Sequence, residues 1–154
     1  MVELEVMMSK NQLPTWLADY VEAVNKHAPA DVVAMMSEDV VVVDTAFGGS
    51  YTGRAAVEQL LSGMDAGLSS DYRFTVRKYL VSGSSYAFEW DLSGTNDRAN
   101  PAMGLPGTGQ AFTVPGLTIG ERRDGLISEN RDYWNVAALL TQLGVVPAPA
   151  GAPK

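Results

Sequence analysis

Apolar positions along the chain change their period several times, and each change marks an element. Between Leu13 and Asn25 the residues Trp16, Leu17, Tyr20, Val21 and Val24 recur at helical spacing, the stripe of an amphipathic helix over 13–25. Pro14 stands where a first helical turn tolerates it, and Asp31 is placed to cap a short second helix running through Met36. The run Val40 to Val43 is then β-branched throughout, which predicts a buried strand ending at Asp44. Gly48-Gly49 turns the chain, 51–53 returns it, and 54–61 predicts a third helix. Beyond residue 72 strand patterns dominate. Residues 72–81 and 85–92 predict a hairpin across Ser82-Gly83-Ser84, and 110–122 and 126–134 a second pair joined across Arg123-Asp124-Gly125. A closing helix is predicted over 135–143.

Helices first and then a run of hairpins describe an α+β domain, with helices packed on one face of a curved antiparallel sheet. Such a sheet leaves a cavity at its open end, and Trp16, Trp90, Trp134, Tyr20 and several methionines are available to line it. For any single one of them, plain core is the commoner use of these residue types. Residues 96–109 carry Pro101, Pro106 and three glycines, and a connection of that length is expected to be a mobile or ligand-covering loop. Residues 1–12 are expected to be flexible, 13–146 to form one domain, and the tail 147–154, PAPAGAPK, to be disordered.

A chain of 154 residues is enough for one domain, which buries roughly 70% of the surface its unfolded form exposes. Hydrophobic residues make up 46% and charged residues 19%, with no apolar run approaching the ~20 residues of a membrane span. The opening MVELEVMMSKNQ lacks the basic segment and apolar stretch of a secretory signal, so a cytoplasmic protein is expected. Without cysteine there is no disulfide, thiolate nucleophile or thiolate metal site. A net charge of −7 with scattered basic residues argues against nucleic-acid or anionic-membrane partners, leaving a neutral, apolar small molecule as the expected ligand. His27, the only histidine, reads as a residue capping the end of the first helix. No histidine and carboxylate spacing suits a metal, and no glycine-rich loop opens a helix after a strand, so neither metal nor cofactor is expected.

The stretch DYVEAVNKHAPADVVAMMSEDVVVVDTAFGGSYTGRAAVEQLL resembles the opening half of the ketosteroid-isomerase and polyketide-cyclase branch of the nuclear-transport-factor-2-like (NTF2-like) superfamily. The stretch RRDGLISENRDYWNVAALLTQLGVVP resembles the closing strand and helix of the SnoaL-like cyclases and of limonene-epoxide-hydrolase-type proteins. Together they cover most of residues 16–147. The resemblance implies a cone of helices on a curved sheet around a deep apolar pocket. It also implies a homodimer through the outer sheet face, to which Tyr86, Phe88 and Trp90 could contribute.

By the same resemblance, Tyr20 falls where the isomerases carry the phenol that stabilises an enolate, and Asp44 where they carry the proton-shuttling carboxylate. A carboxylate ending an all-valine strand is poorly solvated, which suits a general base, and a buried phenol can donate to an oxyanion. The acid that the isomerases place on the penultimate strand has no counterpart in Val114-Pro115-Gly116-Leu117. Asp132 falls where the hydrolases and cyclases carry an acid or base aspartate. Where the hydrolases carry Arg-x-Asp, this chain has Glu89-Trp90-Asp91: Asp91 matches and Glu89 reverses the charge. The expected catalytic set is therefore Asp44, Tyr20, Asp132 and Asp91, with Trp16, Glu89, Trp90 and Trp134 binding substrate.

Each of these residues has a plainer reading. Asp44 could cap the following turn, and Tyr20 could be core with a satisfied hydroxyl. Glu89 and Asp91 could lie on a solvated face or pair with Arg73 or Arg77. Asp132 lies inside a predicted strand, where aspartate is depleted and calls for a special reason. The function the sequence points to is cofactor-independent ring closure of a polyketide-type intermediate. An isomerase or epoxide hydrolase is the alternative, and so is a non-catalytic binding module.

Overall fold

The protein was studied as a computed structural model, which describes residues 5–7, 13–147 and 150. Among the described residues four α-helices interrupt and close a seven-stranded sheet: α1 Thr15–Asn25, α2 Pro29–Ala34, α3 Arg54–Gly67 and α4 Val136–Gln142, with β1 Glu5–Met7, β2 Met36–Asp44, β3 Gly49–Thr52, β4 Arg73–Ser82, β5 Ser85–Thr95, β6 Ala111–Arg123 and β7 Leu126–Trp134. The strand order is β1-β4-β5-β6-β7-β2-β3. All neighbours are antiparallel except β2 and β7, which run parallel. This is the expected α+β cone, and none of its described helices is long and apolar enough to cross a membrane.

Alternation along β5 sets the two faces of the sheet. Tyr86, Phe88, Trp90 and Leu92 are buried while Ser85 and Glu89 are exposed, so each aromatic of that run points toward the helices. Against this inner face α1 lays Leu17 and Val24, and α3 lays Val57. The Asn25 side chain fastens α1 to β4: its Oδ1 accepts from the Phe74 N–H at 2.7 Å and its Nδ2 donates to the Phe74 carbonyl at 2.9 Å. At the turn between β6 and β7, Asp124 and Gly125 both adopt positive φ, the geometry of a tight hairpin turn. Asn135 caps α4 by accepting from the Ala138 N–H at 3.1 Å.

Several expectations shift in detail. The second helix starts at Pro29 and stops at Ala34, with Asp31 inside its first turn rather than at its cap. The third helix continues to Gly67. Residues 5–7 pair with β4 through Glu5–Val81, Val6–Leu80 and Met7–Tyr79, a strand the sequence pattern does not announce. The rest of the N-terminal segment and most of the tail 147–154 lie outside the described residues. His27 does not serve α1 as a cap. It sits at φ 54 with its ring stacked 4.0 Å from that of Tyr72, Nδ1 2.7 Å from Asp65 Oδ1 and Nε2 2.9 Å from the Tyr72 carbonyl oxygen. It thereby ties the α1–α2 connection to α3 and to the start of β4.

Candidate functional site

Between α1, α3 and the inner sheet face lies a cavity of about 410 Å³. Its walls are mostly aliphatic and aromatic. A polar cluster forms where β2, β6 and β7 meet, of Asp44, Thr118, Asn130 and Asp132 with Tyr20 reaching in from α1, and Tyr51, Gln59 and Asn100 line the cavity as well. No lysine, arginine or histidine is among the residues that line it. The connection 96–109 contributes Asn100, Met103 and Leu105 to the wall. It is held at its neck by buried Asn96, which accepts from the Thr108 N–H and donates to the Leu68 carbonyl, each at 2.9 Å. The connection is thus part of the cavity wall, pinned at its neck.

Two carboxylates stand side by side because β2 and β7 are parallel and in register, with Asp44 opposite Asp132. A one-residue irregularity aims Asp132 inward. Glu121 pairs with Glu129 but Arg122 with Ile127, so Ser128 is extra in β7. The extra residue reverses the alternation, and after buried Ile127 it is Asn130, Asp132 and Trp134 that reach the cavity. β-Bulges commonly re-aim side chains beside active sites in this way.

The surroundings of the two acids differ. Asp44 accepts three N–H groups on one oxygen, Oδ1: Ala46 at 2.9 Å, Phe47 at 3.2 Å and the Trp134 indole at 3.1 Å. It therefore does cap the following turn, while still lining the cavity. Asp132 takes a 2.6 Å bond from the Thr118 hydroxyl and a 3.4 Å bond from Asn130 Nδ2, both on Oδ1. Burial in the apolar wall pushes its carboxyl up from the ordinary 3.8 to about 6, against the lowering effect of Thr118 and with a further push from nearby Asp44. The Tyr20 hydroxyl makes no hydrogen bond among the described residues. Burial, followed by the charge of Asp132, raises its phenol well above the usual range, so it stays protonated and can donate to a ligand.

Of the residues expected from the sequence, Asp44, Tyr20, Asp132, Trp90 and Trp134 come together on this cavity. Three do not. Asp91 and Glu89 lie on the outer face, because strand alternation that turns Trp90 inward must turn its neighbours out. There they approach Arg77, Asp91 at 3.3 Å and Glu89 at 3.9 Å. Trp16 packs its ring, tilted by 58°, against that of Tyr86 at 4.9 Å under the Arg122 guanidinium at 4.5 Å, away from the cavity. The burial of Tyr86, Phe88 and Trp90 likewise removes them from any contact on the outer face. With Asp91 outside and no arginine in the wall, the Arg-x-Asp arrangement of the epoxide hydrolases is not assembled.

Sequence reasoning passed over Thr118 and Asn130, and set Tyr86 on the outer face. Tyr86 donates to Asn130 Oδ1 at 2.8 Å, and Trp90 Nε1 donates to Thr118 Oγ1 at 2.8 Å. A signal was available in both strands: Gly116, Thr118 and Gly120 alternate along one face of β6, and Asn130 shares a face with Asp132.

Comparison with known proteins gives a family and a fold. The model of the SnoaL-like domain family matches residues 17–130. No curated protein matches. Among solved structures, a candidate polyketide cyclase from Xanthomonas campestris is 27% identical with a TM-score of 0.72, over 83% of this chain and 93% of its own. A Catenulispora acidiphila protein with a ketosteroid isomerase-like fold, crystallised with trimethylamine, is 22% identical with a TM-score of 0.76, over 93% of this chain and 100% of its own. A candidate SnoaL-like polyketide cyclase from Shewanella putrefaciens is 17% identical with a TM-score of 0.74, over 88% of this chain and 100% of its own.

Proposed function

We propose, from the premise that the chain belongs to the SnoaL-like domain family, that it is a cofactor-independent cyclase closing a ring in a neutral polyketide-type intermediate. The observation that supports this most is the paired acids: two register-matched carboxylates in one otherwise apolar cavity, with dissimilar hydrogen-bond surroundings. Neighbouring titratable groups in environments that differ are a means of dividing acid and base roles. In this reading Asp44 takes an acidic C–H proton and Tyr20 donates to the enolate that forms. The enolate carbon attacks a carbonyl carbon within the same molecule, making the new C–C bond. Asp132 gives its proton to the resulting alkoxide, and the acids reset by passing the proton from Asp44 back to Asp132 through solvent. Holding a flexible chain folded in the cavity supplies a further part of the barrier through orientation. A wall with two acids and no cation disfavours anionic ligands, so the acidic end of a polyketide would be presented masked or neutral.

Deleting the gene in its native producer and comparing accumulated compound with normal product tests the reading. A compound of equal mass with one ring fewer is the expected result. A displaced double bond would indicate an isomerase, a loss of one water a hydrolase, and an unchanged profile a binding module.

We place the protein in the cytoplasm as a homodimer joined through the outer sheet face. Leu117, Ile119 and Tyr133 lie there 38%, 46% and 41% exposed, with Leu117 and Tyr133 paired across β6 and β7. Arg77, Glu89 and Asp91 flank them on one side and Glu129 and Arg131 on the other. A twofold axis through β6 would bring Arg131 toward the acids of β5 in a second copy. Light scattering after gel filtration should give twice the monomer mass, and Ile119→Lys should give the monomer. A wild-type monomer at micromolar concentration would refute the pairing.

A further inference from the structure

The polar corner of the cavity is built around a hydrogen-bond chain whose direction can be read from the chemistry of its members. An indole N–H donates and cannot accept. Trp90 Nε1 therefore supplies its proton to Thr118 Oγ1 at 2.8 Å, and the single hydroxyl proton of Thr118 goes onward to Asp132 Oδ1 at 2.6 Å. A second chain converges on the same oxygen. The Tyr86 phenol, raised chiefly by burial and so kept protonated, donates to Asn130 Oδ1, which turns Asn130 Nδ2 toward Asp132 Oδ1. Trp90, Thr118, Asn130 and Tyr86 are each at least 95% buried, so solvent does not compete for these bonds. Oδ1 is thus an acceptor twice over, and Oδ2 has no partner among the described residues.

The strand is shaped to seat the two rings. Trp90 lies opposite Gly116 and Tyr86 opposite Gly120 across β5 and β6. A Cβ at Gly116 would stand 2.2 Å from the Trp90 ring and one at Gly120 2.3 Å from that of Tyr86. Glycine at 116 and at 120 lets both rings lie across the strand, with the Thr118 hydroxyl between them.

We propose that Thr118 is a positioning residue for Asp132: held from behind by Trp90, its hydroxyl commits Oδ1 to accepting, so that Oδ2 is the atom that carries and delivers the proton in the cavity. This rests on the acid/base reading of Asp132 given above, yet the chain can be tested without any substrate. Of the charged and titratable groups that face Asp132, Asp44 from β2 and Tyr20 from α1 do not take part in it.

The test follows the Asp132 carboxyl carbon by NMR across pH in the intact protein, identified by its absence in Asp132→Asn, together with the Trp90 indole N–H resonance. In the wild type the indole resonance should move with the same midpoint as the carboxyl, near pH 6. Thr118→Val keeps the shape and removes the donor to the ionised form, and should raise the carboxyl midpoint by about one pH unit while the indole resonance goes flat. Thr118→Ser should restore both. A wild-type indole resonance that ignores the Asp132 titration, or a Thr118→Val carboxyl that titrates with the wild type, would overturn the proposal. The first of these readouts does not depend on Thr118→Val folding. Full turnover in Asp132→Asn would instead remove the acid/base reading and leave the titration result standing.

Discussion

Asp132→Asn is expected to lower turnover by about 10²- to 10⁴-fold, the usual contribution of a positioned acid or base, and at the same time to make the protein harder to unfold near neutral pH. The two effects have one cause. A carboxyl raised from 3.8 to about 6 in the folded state is penalised there whenever it must ionise. Its full contribution to stability is present below pH 3.8 and is lost as pH climbs to about 6. The difference corresponds to about 3 kcal/mol once both states are ionised. An amide keeps an oxygen for the Thr118 hydroxyl and carries no charge. Urea unfolding at a series of pH values should therefore show wild type and variant equal near pH 3.8 and separated by up to ~3 kcal/mol above pH 6. Parallel curves across that window would show that Asp132 is not the strained acid described here. An enzyme that gains stability by losing its acid is the expected pattern where a site is held in an unfavourable state for its chemistry.

Gly116→Ala is the second large effect, and it comes from packing alone. The added methyl would meet the Trp90 ring at 2.2 Å, and both the ring and the strand beneath it belong to the buried sheet face. Overpacking of this kind costs about 1–3 kcal/mol and sometimes more. Because the displaced ring carries the N–H that reaches Thr118, the polar corner should loosen as well. Gly63→Ala is the control: it lies within α3 with nothing within 4 Å of the new methyl. It should be neutral or stabilising by up to about 1 kcal/mol, since alanine favours helix over glycine. Denaturant midpoints of the three proteins decide the matter, and equal midpoints for Gly116→Ala and wild type would contradict the close approach.

How far these features can be read from the sequence depends on how local their causes are. The valine run before Asp44 and the stripe of α1 are set by neighbouring residues, and both elements appear where the periodicity puts them. The outward aim of Glu89 and Asp91 also follows from alternation, once it is known that Trp90 faces in. That knowledge depends on which side the helices cover, and the choice is tertiary. Trp16 belongs to the correct stripe, but a stripe about 100° wide reaches past the cavity at one margin, and Trp16 sits at that margin against Tyr86. Least legible is the aim of Asp132. Counting by twos from buried Ile127 would point it outward, and only the bulge at Ser128 turns it in. Nothing in the residue types around Ser128 announces that bulge. Thr118 was hidden for a different reason: a threonine in a strand looks ordinary until its partners on two other strands are known.

The parallel pairing of β2 with β7 also has a bearing on the order in which the protein comes into being. Asp44 and the Trp134 indole that binds it are 90 residues apart in the chain. While the protein is being synthesised, α1–α3 and the β4–β5 hairpin can collapse together before the strand bearing Asp132 has emerged from the ribosome. Over that interval Asp44 has neither the Trp134 indole nor Asp132 beside it. Joining the two acids is thereby an event that waits on the strand carrying Asp132, and it follows the folding of everything from α1 to β5.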